Sequence, residues 1–146
     1  MKTLKLAIVA IIAAFAAASA TYAEDITHKL AIHVDQNDPA VMNLALNNAK
    51  NVREYYAAKG EKVQIEIVAY GPGLNMYVAG SPVEGRIEAM SLESPEITFS
   101  ACGNTHAAMS KKAGKEIPLM EEAQIVPSGV VRLMELQADG YAYVRP

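Results

Sequence analysis

The sequence predicts an α/β fold, a three-layer α/β/α sandwich around a five-stranded, mostly parallel sheet. Three observations carry that expectation. Short apolar runs alternate with helical stretches from residue 29 to the C-terminus, and such alternation implies parallel strands joined by crossover helices. The first run, Lys29 to Val34, is apolar with little alternation, as a strand covered on both faces should be. Between the first two runs, Val41, Leu44, Ala45, Ala49, Val52, Tyr55 and Tyr56 keep helical spacing, which defines an amphipathic helix long enough for a crossover.

Each element then follows from its local chemistry. The first strand stops at Asp35-Gln36-Asn37-Asp38-Pro39, where Asp38 suits the cap of a helix and Pro39 its first position. That helix runs to Lys59 and is closed by Gly60. Val63 to Tyr70 is a second strand. It opens with strict alternation, the pattern of an edge or partly exposed strand. Gly71-Pro72-Gly73 breaks the chain, and Leu74 to Val78 forms a short helical turn or loop. Ser81 with Glu84 makes a capping-box pattern for a helix to about Leu92. Glu96 to Ala101 is the third strand, with Cys102 at its end.

Asn104 or Thr105 caps the next helix, which carries Lys111 and Lys112 near its C-terminal end and closes at Gly114. Cations are favoured at that end. Ala123 to Val126 is a short fourth strand, Val130 to Ala138 a last helix, and Tyr141 to Val144 a final strand. The expected strand order is 2-1-3-4-5. It makes strands one and three neighbours, so Asp35-Gln36-Asn37 would face Cys102-Gly103-Asn104 across the crevice where such folds bind ligands.

Composition narrows the function classes. Residues 1–23 hold Lys2 and Lys5, the apolar run Leu6 to Ala18, and small-residue cleavage sites after Ala20 and Ala23. This is the pattern of a secretory signal peptide, and residues 24–146 would form a single exported domain. The alternative is a retained anchor, but the apolar run falls short of the roughly 20 residues a bilayer-spanning helix needs, so no stable membrane insertion is expected. The formal charge is −3, and losing the two lysines makes the rest more acidic still. With no basic run, nucleic acid is not an expected partner.

The chain has one cysteine, which in an exported protein points to intermolecular pairing or a reactive thiol, the alternative being an inert buried one. Cys102 is the candidate nucleophile. A thiol between a strand and a helix N-terminus lies where amide N–H groups and the helix dipole favour the thiolate. Gly103 permits close backbone approach, and Asn104 and Thr105 would stabilise an anionic sulfur. His106, one helical turn on, could pair with the thiol or be a plain surface residue. Asp35 and Asn37 would line the crevice or serve only as turn and cap residues. Gly73 and Asn75, after the second strand, could form an anion-binding loop or only a turn. Cys102, His106 and His33 or His28 match no closed zinc spacing, so no metal is expected. No G-x-G-x-x-G or P-loop is present, so no nucleotide cofactor is expected.

Several segments carry a family resemblance: His28–Val34 with Asp35-Gln36-Asn37-Asp38-Pro39; Val68-Ala69-Tyr70-Gly71-Pro72-Gly73-Leu74; Phe99-Ser100-Ala101-Cys102-Gly103-Asn104-Thr105; and Val126-Pro127-Ser128-Gly129-Val130. In these the chain resembles the DsrE/DsrF-like family, as an exported branch of it. The resemblance implies a flavodoxin-like subunit that assembles as a dimer, trimer or hexamer. It also implies a cysteine after the third strand that carries sulfur as a persulfide, the position of Cys102. The chain departs from the sulfur-relay members in its export signal, since those members work in the cytoplasm. It also lacks a close Arg-Arg-Gly after the cysteine. The expected function is periplasmic sulfur handling through Cys102, with a sulfur donor or acceptor protein as partner. The alternative is a non-enzymatic oligomeric binding module in which the cysteine is structural.

Overall fold

The computed structural model describes residues 28–146; the expected signal peptide and its cleavage sites lie outside the described residues. Strand β1 (His28–Val34) gives way to helix α1 (Pro39–Ala57) at Asp38, whose side chain accepts from the Ala40 N–H at 2.8 Å. Strand β2 (Val63–Ala69) leads into a 3₁₀ helix over Gly71–Tyr77, and then helix α2 (Glu84–Glu93) begins. The Ser81 and Glu84 pair acts just ahead of α2. The Glu84 carboxylate reaches back to the Gly80 N–H at 2.9 Å, and the Ser81 hydroxyl accepts from the Val83 N–H at 3.4 Å. Strand β3 (Ile97–Cys102) runs straight into helix α3 (Gly103–Ala113), which Gly114 closes at φ 67°. Strand β4 (Ala123–Val126), helix α4 (Gly129–Ala138) and strand β5 (Ala142–Val144) complete the chain.

All strand pairs are parallel, and helices cover both faces, so the expected flavodoxin-like three-layer architecture is what the chain adopts. The strand order is 4-3-2-1-5 rather than 2-1-3-4-5. Strand β2 therefore stands between β1 and β3, at the centre of the sheet rather than at an edge. Its polar alternation misled because Glu66 is only 4 % exposed and is answered by Arg132 of α4.

This order decides which face each helix covers. Steps from β1 to β2, β3 and β4 all move one way along the sheet, so right-handed crossovers place α1, α2 and α3 on one face. That face holds the main core, with Met42, Leu46, Ile87, Ile32, Ile67 and Phe99. The return from β4 to β5 moves the other way and sends α4, alone among the described helices, to the opposite face, where Leu133 and Leu136 meet Ala31, Val68 and Tyr141. Among the described residues no helix is long and apolar enough to cross a membrane.

Candidate functional site

Ligands of open α/β sheets bind where adjacent strands send their following helices to opposite faces. In the order 4-3-2-1-5 that switch lies between β3 and β4, not between β1 and β3. Cys102 still stands on it. The expected partner across the crevice changes: Asp35-Gln36-Asn37 is separated from Cys102 by β2, and its place is taken by the β4–α4 turn, Pro127-Ser128-Gly129.

The turn and the cysteine are closely fitted. Cys102 pairs with Val126 in the sheet, and the Asn104 N–H donates to the Pro127 carbonyl at 3.3 Å across the switch. A Cβ on Gly103 would lie 3.0 Å from the Val126 carbonyl oxygen, and one on Gly129 would lie 3.1 Å from the Cys102 Cβ. Both positions favour glycine because each brings a backbone against its neighbour.

Two helix N-termini thus converge on one sulfur, α3 from one face and α4 from the other. Cys102 is 4 % exposed and makes no capping hydrogen bond to α3 as a thiol. Burial pushes the thiol up, but the Thr105 hydroxyl and the N–H groups of Gly129, Thr105 and Asn104 outweigh it. The thiol consequently sits below its ordinary value. Helix N-termini lower thiol pKa values in this way. The Thr105 hydroxyl is itself fixed, because its oxygen accepts from the Gly71 N–H at 3.0 Å. Its proton is left to point elsewhere, and the sulfur is the group that gains from it.

Other expected site residues divide into two groups. Asn75, Asn104 and Thr105 come together, with Gly71, Pro72 and Lys112, around an open depression of about 540 Å³ beside the α3 N-terminus. Asn75 also donates to the Pro72 carbonyl at 2.9 Å. His106 is engaged elsewhere, its Nε2 lying 2.7 Å from the Ile117 carbonyl. Gly73 is a packing residue: a Cβ there would lie 2.2 Å from the Val34 carbonyl oxygen. Asp35 is paired with Arg145 at 2.8 Å, and Asn37 is exposed on the turn after β1. Among the described residues no cluster of His, Cys, Asp or Glu could hold a metal ion.

Sequence reasoning missed Gly129, beside the sulfur, and Tyr70, which packs behind that glycine. Gly129 supplies an amide from the first turn of α4, just after the cap position at Ser128; the segment that holds it carries the family resemblance, but nothing in it points to a thiol. Tyr70 packs against that same glycine, with its Cβ 2.9 Å from a Cβ placed there. Tyr70 also stacks on His33, ring centroids 4.4 Å apart, and His33 Nδ1 meets the Tyr143 hydroxyl at 2.8 Å. A row of aromatic groups, Tyr70, His33 and Tyr143, therefore runs from Gly129 to β5.

No protein-family model matches the chain, and no curated protein matches it. Among solved structures it is similar to a protein of unknown function, MTH1491 from Methanobacterium thermoautotrophicum. The two share 31 % identity over 82 % of this chain and 99 % of that one, with a TM-score of 0.66.

Proposed function

The chain belongs to the same family as MTH1491 from Methanobacterium thermoautotrophicum, a protein of unknown function, and we propose from the chemistry of Cys102 that it is a sulfur-handling protein of the DsrE/DsrF-like kind, exported to the periplasm through residues 1–23. The carrying observation is the convergence of two helix N-termini on one cysteine whose thiol is held below its ordinary value. In the proposed step the Cys102 thiolate attacks the outer sulfur of a small persulfide, R–S–SH. A new S–S bond forms to Cys102, the donor's S–S bond breaks, and R–S⁻ leaves with the electron pair. The proton stays on the transferred sulfur. The amides of Gly129, Thr105 and Asn104 that favour the thiolate also favour an anionic persulfide in the same place. The depth of Cys102, 4 % exposed, favours small sulfur compounds over bulky disulfide partners.

Intact mass after incubation with a polysulfide tests this. The expected product is about 32 Da heavier, one sulfur atom, and is absent from Cys102→Ser. An unchanged mass, or an adduct that survives the substitution, would reject the carrier reading.

One observation favours a second reading, an oligomeric binding module with a structural cysteine. Helix α4 exposes Val130, Val131 and Met134 at 52 %, 47 % and 65 %, an apolar stripe suited to burial between subunits. On that reading Cys102→Ser assembles and binds ligands as wild type does, and sedimentation velocity reports a dimer or larger species for both.

A further inference from the structure

On the sheet face beneath α4, Glu66 of the central strand is 4 % exposed and fully engaged. Its Oε1 accepts from the Ser100 hydroxyl at 2.6 Å and from Arg132 Nε at 2.7 Å, and its Oε2 accepts from Arg132 Nη2 at 2.7 Å. Arg132 also lies 3.6 Å from Glu135. The proposed sulfur chemistry uses none of these groups directly. Burying the Glu66 carboxylate against a half-buried Arg132 is a poor device for stability alone, because desolvation of the carboxylate offsets the attraction and apolar residues of similar volume often do as well. What it supplies is a defined position.

The three residues sit where position matters. Ser100 is two residues before Cys102 on β3, on the same face of the sheet, about 7 Å along the strand. Arg132 is three residues after Gly129 on α4, about 4.5 Å along the helix, and its N–H closes the first helical turn on the Ser128 carbonyl at 2.9 Å. One carboxylate therefore ties the strand that carries the sulfur to the helix turn that carries the facing amide. The tie lies one step below the contact between them. The fork of two parallel N–H···O bonds fixes angle as well as distance.

We infer that Glu66, Arg132 and Ser100 form a positioning clamp that sets the approach of the Gly129 amide to the Cys102 sulfur and so tunes the reactivity of that thiol. The inference rests on the proposed reading of Cys102 as the working thiol. The clamp acts by geometry, and this separates it from a direct charge effect. A through-space effect of Glu66 would make Glu66→Gln more reactive, because an anion is removed from the neighbourhood of another. A clamp makes it less reactive, because the helix turn is no longer held.

The test is the pH profile of Cys102 alkylation by iodoacetamide in the full chain, with thermal unfolding measured beside it. Wild type is expected to react with a midpoint below the ordinary thiol range. Glu66→Gln is expected to move the midpoint upward and to slow the reaction at pH 7 about fivefold, since only the thiolate reacts. Arg132→Lys keeps the charge and loses the fork, and is expected to do the same. Should Glu66→Gln fail to fold, the paired change Glu66→Leu with Arg132→Met removes the charges together. It is expected to unfold near the wild-type temperature yet show the raised midpoint. A folded variant with the wild-type midpoint, or Glu66→Gln with a lowered one, would overturn the clamp. Sulfur uptake by wild type, read by mass, is scored separately: its failure rejects the carrier reading, whereas an unmoved midpoint rejects only the clamp.

Discussion

Gly129 stands against Cys102 with no room for a methyl group between them: a Cβ on the glycine would lie 3.1 Å from the Cys102 Cβ and 2.9 Å from that of Tyr70. Both neighbours are rooted in the sheet, so α4 would have to lift. Gly129→Ala should therefore weaken the anion-favouring amide and cost stability together. The expected loss is about 1–3 kcal/mol, typical of overpacking, with a thiol midpoint raised toward its ordinary value. Denaturant unfolding and thiol alkylation against pH measure the two effects on one sample. A variant of wild-type stability and midpoint would show that the amide does not act on the sulfur.

Thr105 serves two neighbours through one oxygen, accepting from Gly71 and favouring the thiolate of Cys102. Thr105→Val keeps the shape, strips the thiolate of its hydroxyl donor and leaves the Gly71 N–H without its acceptor. An unmade hydrogen bond of this kind costs about 1 kcal/mol or more. The expected outcome is slower alkylation at neutral pH with a modest loss of stability, and Thr105→Ser should restore both. Failure of serine to restore the rate would assign the effect to packing of the methyl group.

The layered architecture was legible because strand and helix periods differ and each is punctuated by its own chemistry, as at Asp38-Pro39 and Gly114. The strand order was not. It depends on which face each crossover takes, and the decisive fact, that the polar Glu66 is buried, requires Arg132 from 66 residues further along. The site shows the same division. Cys102, Asn104 and Thr105 lie together in sequence and could be read as a strand end entering a helix. Gly129 reaches the sulfur only through the fold, so nothing local to it announced an amide aimed at a thiol. Gly73 stays open between an anion-binding loop and a turn in the sequence, because a glycine gives the same signal for binding an anion as for fitting under the Val34 carbonyl.

His106 offers a contrast with Thr105, one residue away. Its Nε2 is engaged with the Ile117 carbonyl, which ties α3 to the connection before β4, where the Ser110 hydroxyl also accepts from the Ile117 N–H at 3.1 Å. His106→Gln should leave the Cys102 midpoint where it is and loosen that connection. Hydrogen exchange is expected to rise at Ile117 while alkylation keeps its wild-type profile. A raised thiol midpoint in this variant would return His106 to the site.

His33 predicts a pH dependence of stability. Its ring is 4 % exposed, stacked on Tyr70 and bonded through Nδ1 to the Tyr143 hydroxyl, and its Nε2 has no partner among the described residues. Burial pulls its pKa below the ordinary 6.5, against the attraction of Asp35 and with the repulsion of Arg145. The unfolded chain thus takes up this proton more readily than the folded one, and stability rises with pH wherever that holds. The contribution is fully present above about pH 6.5 and is lost as pH falls from there toward the lower folded value. His33→Phe keeps the stack on Tyr70 and removes the titrating group. Denaturant midpoints at pH 7.5 and pH 5.5 should fall more steeply between those values for wild type than for the variant. Equal falls would mean that the imidazole finds a partner when protonated, and that its buried nitrogen costs nothing on acidification.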